Sequence, residues 1–211
     1  MPHIVLLGDS IFDNAAYVGG GPDVIHQLRQ SLPAGWQATL HAVDGAVTNS
    51  VARQAHQLPP DASYLVVSVG GNDALGYSTV LDEGARSVAG AVNRLAEIRE
   101  QFQYDYSVML DAVLARRLPT AVCTIYDARY PDPLQQRLVV TGLTIFNDVI
   151  TREAFARRLP LLDLRLICQE AGDYANPIEP SVQGGAKIAA SIARLVTIHG
   201  EARSYSTVIS H

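Results

Sequence analysis

The chain has 211 residues, 48% hydrophobic and 18% charged, which is enough apolar side chain for a full core and excludes a disordered polymer. Its net charge is −5 and its pI about 5.6, with no basic patch, which argues against nucleic acid as a partner. Its two cysteines, Cys123 and Cys168, both sit in apolar settings that suit buried thiols better than a disulfide, and no CxxC or HExxH spacing offers a metal site.

The amino terminus shows no basic segment followed by a long apolar one, and no apolar run approaches the ~20 residues that cross a bilayer. The expectation is a cytoplasmic protein without a membrane span. In chain order, 3–7 is a first strand. The glycines at 19–21 and Pro22 break the chain, and 23–32 is a helix with Asp23 near its start. A second strand covers 37–43, and 48–58 is a helix with Thr48 as candidate cap. The run 64–69, Tyr-Leu-Val-Val-Ser-Val, is a strand covered on both faces. Leu81, Ala85, Val88, Val92 and Leu95, then Phe102, Tyr106, Met109 and Val113, recur at helical spacing and predict a core-facing stripe, on one helix or on two joined near Gln101. Strand 120–126, a proline-punctuated loop, helix 134–158, a short strand 160–164, a polar loop and a last helix at 182–198 follow. Five strands alternating with helices predict a parallel three-layer α/β/α sandwich. No linker or repeat interrupts it, so 1–211 reads as one domain, with 199–211 as a peripheral C-terminal extension.

The strand ends carry the candidate chemistry, because open α/β sheets bind ligands at that rim. Ser10, in Gly8-Asp9-Ser10, follows the first strand. Gly45 follows the second, and Gly70-Gly71-Asn72-Asp73 follows the third. A serine at such a rim is a nucleophile only if a neighbour takes its proton. The N–H groups of Ser10 and Gly45 and the amide of Asn72 are candidate donors to an oxyanion. Each block alone is also a good turn or cap sequence; one per strand end, in this order, is more specific.

In that order the blocks resemble the SGNH hydrolases, also called the GDSL esterase/lipase family, from Gly8 to about Ile188. The matching residues are Gly8-Asp9-Ser10 with Asp13-Asn14 after it, Gly45, and Gly71-Asn72-Asp73. The resemblance implies a flavodoxin-like sheet of order 2-1-3-4-5. It implies Ser10 as nucleophile, an oxyanion hole of Ser10, Gly45 and Asn72, a small-molecule carboxylic ester as substrate, and no metal or organic cofactor. The chain departs from the family at its last block, where the family has Asp-x-x-His. Here Asn176 and Glu179 hold those positions, ahead of Gly184-Gly185. His3, His26, His41, His56, His199 and His211 lie in places that suit structural or solvated roles, so none substitutes.

Three readings follow. In one, Ser10 and Glu179 form a serine–carboxylate dyad, with Asn176 donating to Glu179 or bracing its loop; the carboxylate needs burial to lift its pKa toward 6–7. In another, the fold binds an acyl or glycosyl ligand without turnover. In the third, Asp173 or Asp127 supplies the base, although a loop turn or cap is the simpler role for both. Asp9, Asp13 and Asp73 read as supporting residues that brace the strand-end loops. Tyr126, Tyr130 and Tyr174 are candidates to shape a cleft.

Overall fold

The computed structural model describes residues 1–198 and 208–209. Its strands are β1 (His3–Gly8), β2 (Gln37–Leu40), β3 (Tyr64–Ser68), β4 (Thr120–Cys123), β5 (Leu161–Leu162) and β6 (Val208–Ile209). The helices are α1 (Val24–Ser31), α2 (Thr48–His56), α3 (Gly71–Gly76), α4 (Val88–Leu114), α5 (Pro133–Ala156), α6 (Leu164–Ile167) and α7 (Val182–Ile198). All strand pairs are parallel, and the sheet runs β2-β1-β3-β4-β5-β6. The five-strand order 2-1-3-4-5 is therefore present, flanked by helices.

The sheet has one strand more than expected. Val208–Ile209, within the stretch read as an extension, pairs with Leu161 and Leu162. Two β-branched residues are too short a run to signal a strand. The remainder of 199–211 lies outside the described residues.

Alternation along the strands builds two cores. Ile4 and Leu6 of β1 and Val66 of β3 face α1 and α7, where Val24, Leu28, Ile188, Ile192 and Leu195 are buried. Val5, Leu7, Leu65 and Val67 face the other way, against Val51, Phe102, Met109, Leu110, Val113 and Ile150 from α2, α4 and α5. The helix starts follow ordinary capping. The Asp23 carboxylate accepts from the His26 N–H, Ser87 Oγ from the Gly90 N–H, and Asp132 from the Gln135 N–H, with Pro133 in the first turn of α5. Thr48 is not a cap. Val47 holds that position, and the Thr48 N–H is instead satisfied from a distance by both carboxylate oxygens of Asp73, at 3.2 and 3.0 Å.

The apolar stripe divides in two. Phe102, Tyr106, Met109 and Val113 are core, on a helix that runs unbroken through Gln101. Leu81, Val88 and Val92 are 42%, 82% and 58% exposed, and Leu81 precedes α4 on a short 3-10 turn over 78–82. Leu81, Leu95 and Ile98 line a cleft. Periodicity marks the face of a helix that meets apolar surroundings; it does not distinguish a core from a cleft wall.

Candidate active site

The site begins with how β1 ends. Gly8 has φ +131°, and a Cβ there would lie 1.8 Å from the Ser68 carbonyl oxygen, so only glycine lets β1 and β3 finish side by side. The Gly8 peptide is held on its other side by Gln54. Its N–H donates to Gln54 Oε1 at 2.7 Å, and its carbonyl accepts from Gln54 Nε2 at 2.8 Å. The Asp9 carboxylate accepts from the Ile11 N–H, and the Asp9 carbonyl from the Phe12 and Asp13 N–H groups, which turns the chain sharply and leaves Ser10 between them.

Ser10 Oγ donates to Glu179 Oε1 at 3.1 Å, across 169 residues of sequence. Both residues are buried, at 7% and 5% exposure. Glu179 Oε2 accepts no hydrogen bond from the described protein groups. Burial pushes the Glu179 carboxyl from 4.5 up to about 7, against the lowering pull of the Ser10 hydroxyl and with a further rise from the charge of Asp44. Burial also pushes Asp9 up to about 8, despite the Ile11 N–H, with Glu179 and Asp73 adding to the rise. Asp9 is therefore mostly protonated at neutral pH and places little second charge near Glu179.

The backbone around Glu179 is tightly held. Four successive carbonyls accept hydrogen bonds from four different places. Pro177 accepts from the Arg129 N–H at 2.8 Å, Ile178 from the Tyr126 hydroxyl at 2.7 Å, Glu179 from the Ala175 N–H at 2.9 Å, and Pro180 from Asn14 Nδ2 at 3.2 Å. Asn176 braces the same turn, its Oδ1 accepting from the Ile178 and Glu179 N–H groups at 2.9 Å each. Its hydrogen bonds thus go to the Glu179 backbone, not to the carboxylate. Asn14 is fully buried and also accepts from the Val24 N–H, tying this loop to the start of α1.

Asn72, at the start of α3, donates one amide hydrogen to the Ala46 carbonyl at 3.0 Å, which fixes the amide plane and leaves its second hydrogen uncommitted by that bond. Ser10, Asn72 and Glu179 share one cavity of about 520 Å³, within the usual range of small-molecule sites. Gly45, at φ +76°, lies in the exposed turn before α2 and lines a neighbouring depression instead; Asn72 reaches that turn through Ala46. Asp13 accepts from the Asp44 N–H, and Asp44 from the Tyr17 hydroxyl, so this pair joins the loops after β1 and β2. Asp73 lies under α2, as described.

The other candidates lie elsewhere or are committed. Asp173 is fully buried and bound to Lys187, Gln183 and the Glu170 N–H. Tyr126 and Tyr130 line the cavity, whereas Tyr174 stacks edge-on against Tyr126 with ring centroids 5.0 Å apart. His3 is buried between Asp61 and Thr39. Cys123 and Cys168 are free and buried. Among the described residues no group of His, Cys, Asp or Glu could hold a metal ion, and no helix is long and apolar enough to cross a membrane. Sequence reasoning missed Gln54. The signal was present: Gln54 shares the buried face of α2 with Val51 and Ala55, and a polar side chain on such a face needs a partner.

Comparison with known proteins agrees with this architecture. The model of the GDSL-like Lipase/Acylhydrolase family matches residues 6–187, and the chain belongs to that family. No curated protein matches the sequence. Among solved structures it is similar to the extracellular lipase from Streptomyces rimosus, at 17% identity and TM-score 0.64, covering 94% of this chain and 99% of that one. It is similar to phospholipase A1 from Streptomyces albidoflavus NA297, at 15% identity and TM-score 0.63, covering 93% and 98%. The aryl esterase of M. smegmatis matches at 14% identity and TM-score 0.62, covering 94% and 99%. At these identities the likeness is one of fold.

Proposed function

We propose that the protein is a serine ester hydrolase in which Ser10 is the nucleophile and Glu179 the general base, standing where the family has histidine. The observation that carries this reading is the 3.1 Å hydrogen bond from Ser10 Oγ to Glu179 Oε1 at the buried end of the cavity. Family membership supports the ester-hydrolase class. A base is most effective with a pKa near the working pH, and burial brings Glu179 to about 7.

The cycle balances with these groups alone. Ser10 Oγ attacks the ester carbonyl carbon while its proton passes to Glu179. The carbonyl π pair moves onto oxygen, where the second Asn72 amide hydrogen stabilises it, with the Ser10 and Gly45 N–H groups as proposed co-donors. The pair returns, the bond to the leaving alcohol breaks, and Glu179 gives that alcohol its proton. Water then enters, loses a proton to Glu179, attacks the acyl-Ser10 carbonyl and releases the acid, and Ser10 recovers its proton. A carboxylate has no tautomer to fix, so the site needs no further aspartate, and Asn176 serves the backbone instead.

The unit proposed is a single catalytic domain acting on a small-molecule ester, in a cytoplasmic setting compatible with its free thiols. The binding-only alternative lacks an observation that favours it. A p-nitrophenyl ester panel on wild type, Ser10→Ala and Glu179→Gln tests the proposal. Loss of turnover in both variants, with fluorophosphonate labelling of Ser10 in wild type, supports it; turnover undiminished in Ser10→Ala overturns it.

A further inference from the structure

The cavity is lined mostly by apolar side chains, with Ser10, Asn72 and Glu179 at the site and Asp82, Asp132 and Gln135 among its other lining residues. No Lys, Arg or His lines it, so nothing there would neutralise an anionic headgroup. Leu95 and Ile98 of α4 line it together with Leu138, Val139, Gly142 and Phe146 of α5.

Gly142 is the informative residue. It sits inside the 24-residue helix α5, where glycine costs about 1 kcal/mol relative to alanine. Glycines in helices are often explained by close packing. Gly184 is such a case, since a Cβ there would lie 2.1 Å from the Asp173 carbonyl oxygen. Gly142 is not, because a Cβ there would meet nothing within 4 Å. The side chain is absent from a position that faces open cavity.

We infer that this cavity is an acyl-chain pocket for esters of unbranched medium-chain carboxylic acids, and that Gly142 is a specificity-determining residue that keeps its length open. The inference rests on Ser10 as the nucleophile for its orientation. The leaving alcohol must lie beside Glu179 to take its proton and then depart. The acyl group stays bonded to Ser10 and has the apolar walls available to it.

The test has a kinetic and a binding arm. In the kinetic arm, p-nitrophenyl esters from acetate to dodecanoate are compared on wild type, Gly142→Ala and Gly142→Leu, with octyl acetate as the long-alcohol control. The expected result is an octanoate-to-acetate ratio of kcat/KM above ten in wild type, lowered at least ten-fold by Gly142→Leu and less by Gly142→Ala. Both substitutions favour the helix, so folding is retained, and melting curves check it. In the binding arm, methyl octanoate displaces N-phenyl-1-naphthylamine from Ser10→Ala, and does so less well when Gly142→Leu is added. A chain-length ratio indifferent to Gly142→Leu, or a preference for octyl acetate over methyl octanoate, the alkyl ester with the long chain on the acyl side, overturns the pocket. Turnover that is present but blind to chain length rejects the pocket and leaves Ser10 standing. Displacement that responds to Gly142→Leu without any ester turnover rejects the catalytic reading and supports the pocket.

Discussion

Glu179→Gln should make the protein more stable at alkaline pH while removing its activity. Glutamine keeps the shape of the side chain and an oxygen to accept from Ser10, but it carries no charge. In the folded protein the Glu179 carboxyl loses its proton near pH 7, against 4.5 ordinarily. Below about 4.5 both folded and unfolded chains hold this proton, and the group does not affect stability. Between 4.5 and 7 the folded chain holds a proton that the unfolded chain has released, so stability falls as pH rises. Above 7 the full cost of a buried carboxylate is present. At 1.36 kcal/mol per pH unit the difference is about 3 kcal/mol. Screening through the open cavity mouth brings this to about 1–2 kcal/mol. For a chain of this size each kcal/mol moves Tm by about 2–4 °C, so Glu179→Gln should melt roughly 2–8 °C above wild type at pH 9 and nearly level with it at pH 5. Asp9 titrates in the same direction, and because the Glu179 charge is part of what raises it, Glu179→Gln relaxes Asp9 as well and adds to the difference at alkaline pH. Thermal unfolding by circular dichroism at half-unit steps from pH 5 to 9 measures this directly. In parallel, wild-type kcat/KM should rise through pH 7, and Glu179→Gln should lose about 10²–10⁴-fold. An equal Tm difference at pH 5 and pH 9, or a variant less stable than wild type at pH 9, would refute the reasoning.

If Asn72 is the oxyanion donor we propose, Asn72→Ala should lower kcat about 10²–10³-fold with KM little changed, since such a donor acts in the transition state; steady-state kinetics on a p-nitrophenyl ester reads it. Gly8→Ala should destabilise the protein by at least about 3 kcal/mol or prevent folding, because the new Cβ meets the Ser68 carbonyl in a backbone region that alanine avoids; urea unfolding measures it. Lys187→Met should cost about 3 kcal/mol at pH 7 by stranding the buried Asp173 carboxylate. Desolvation acts to raise the Asp173 carboxyl, but its hydrogen bond from Lys187 holds it below the usual range. The loss should therefore shrink as pH falls through the folded value and Asp173 protonates, as melting curves at several pH values would show.

What the sequence revealed depended on how local the signal was. The β/α alternation and the places of Ser10 and Asn72 just after their strands were legible because each rests on a few neighbouring residues. Strand ends were overestimated: β2 stops at Leu40 and β4 at Cys123, where the chains leave the sheet to form the rim, although their sequences remain strand-like. The cleft wall formed by α5 was not legible. Leu134 and Leu138 look like any amphipathic helix face, and both are in fact exposed around the cavity. Gly45 lies in the turn before α2, but its relation to Ser10 depends on how two loops pack, and spacing carries no information about that.

The four hydrogen bonds on residues 177–180 have a kinetic consequence. The Ala175 donor is local, but Tyr126 and Asn14 reach back across 52 and 166 residues, and Arg129 lies beside Tyr126 in sequence. Closing contacts of such wide sequence separation is the slow, entropy-limited part of folding. Glu179 meets Ser10 only when the segments around residues 10–14, 126–129 and 175–180 have come together. In refolding, ester hydrolysis should therefore return in the last phase, after secondary structure is complete, so that the active site itself reports when the chain has closed.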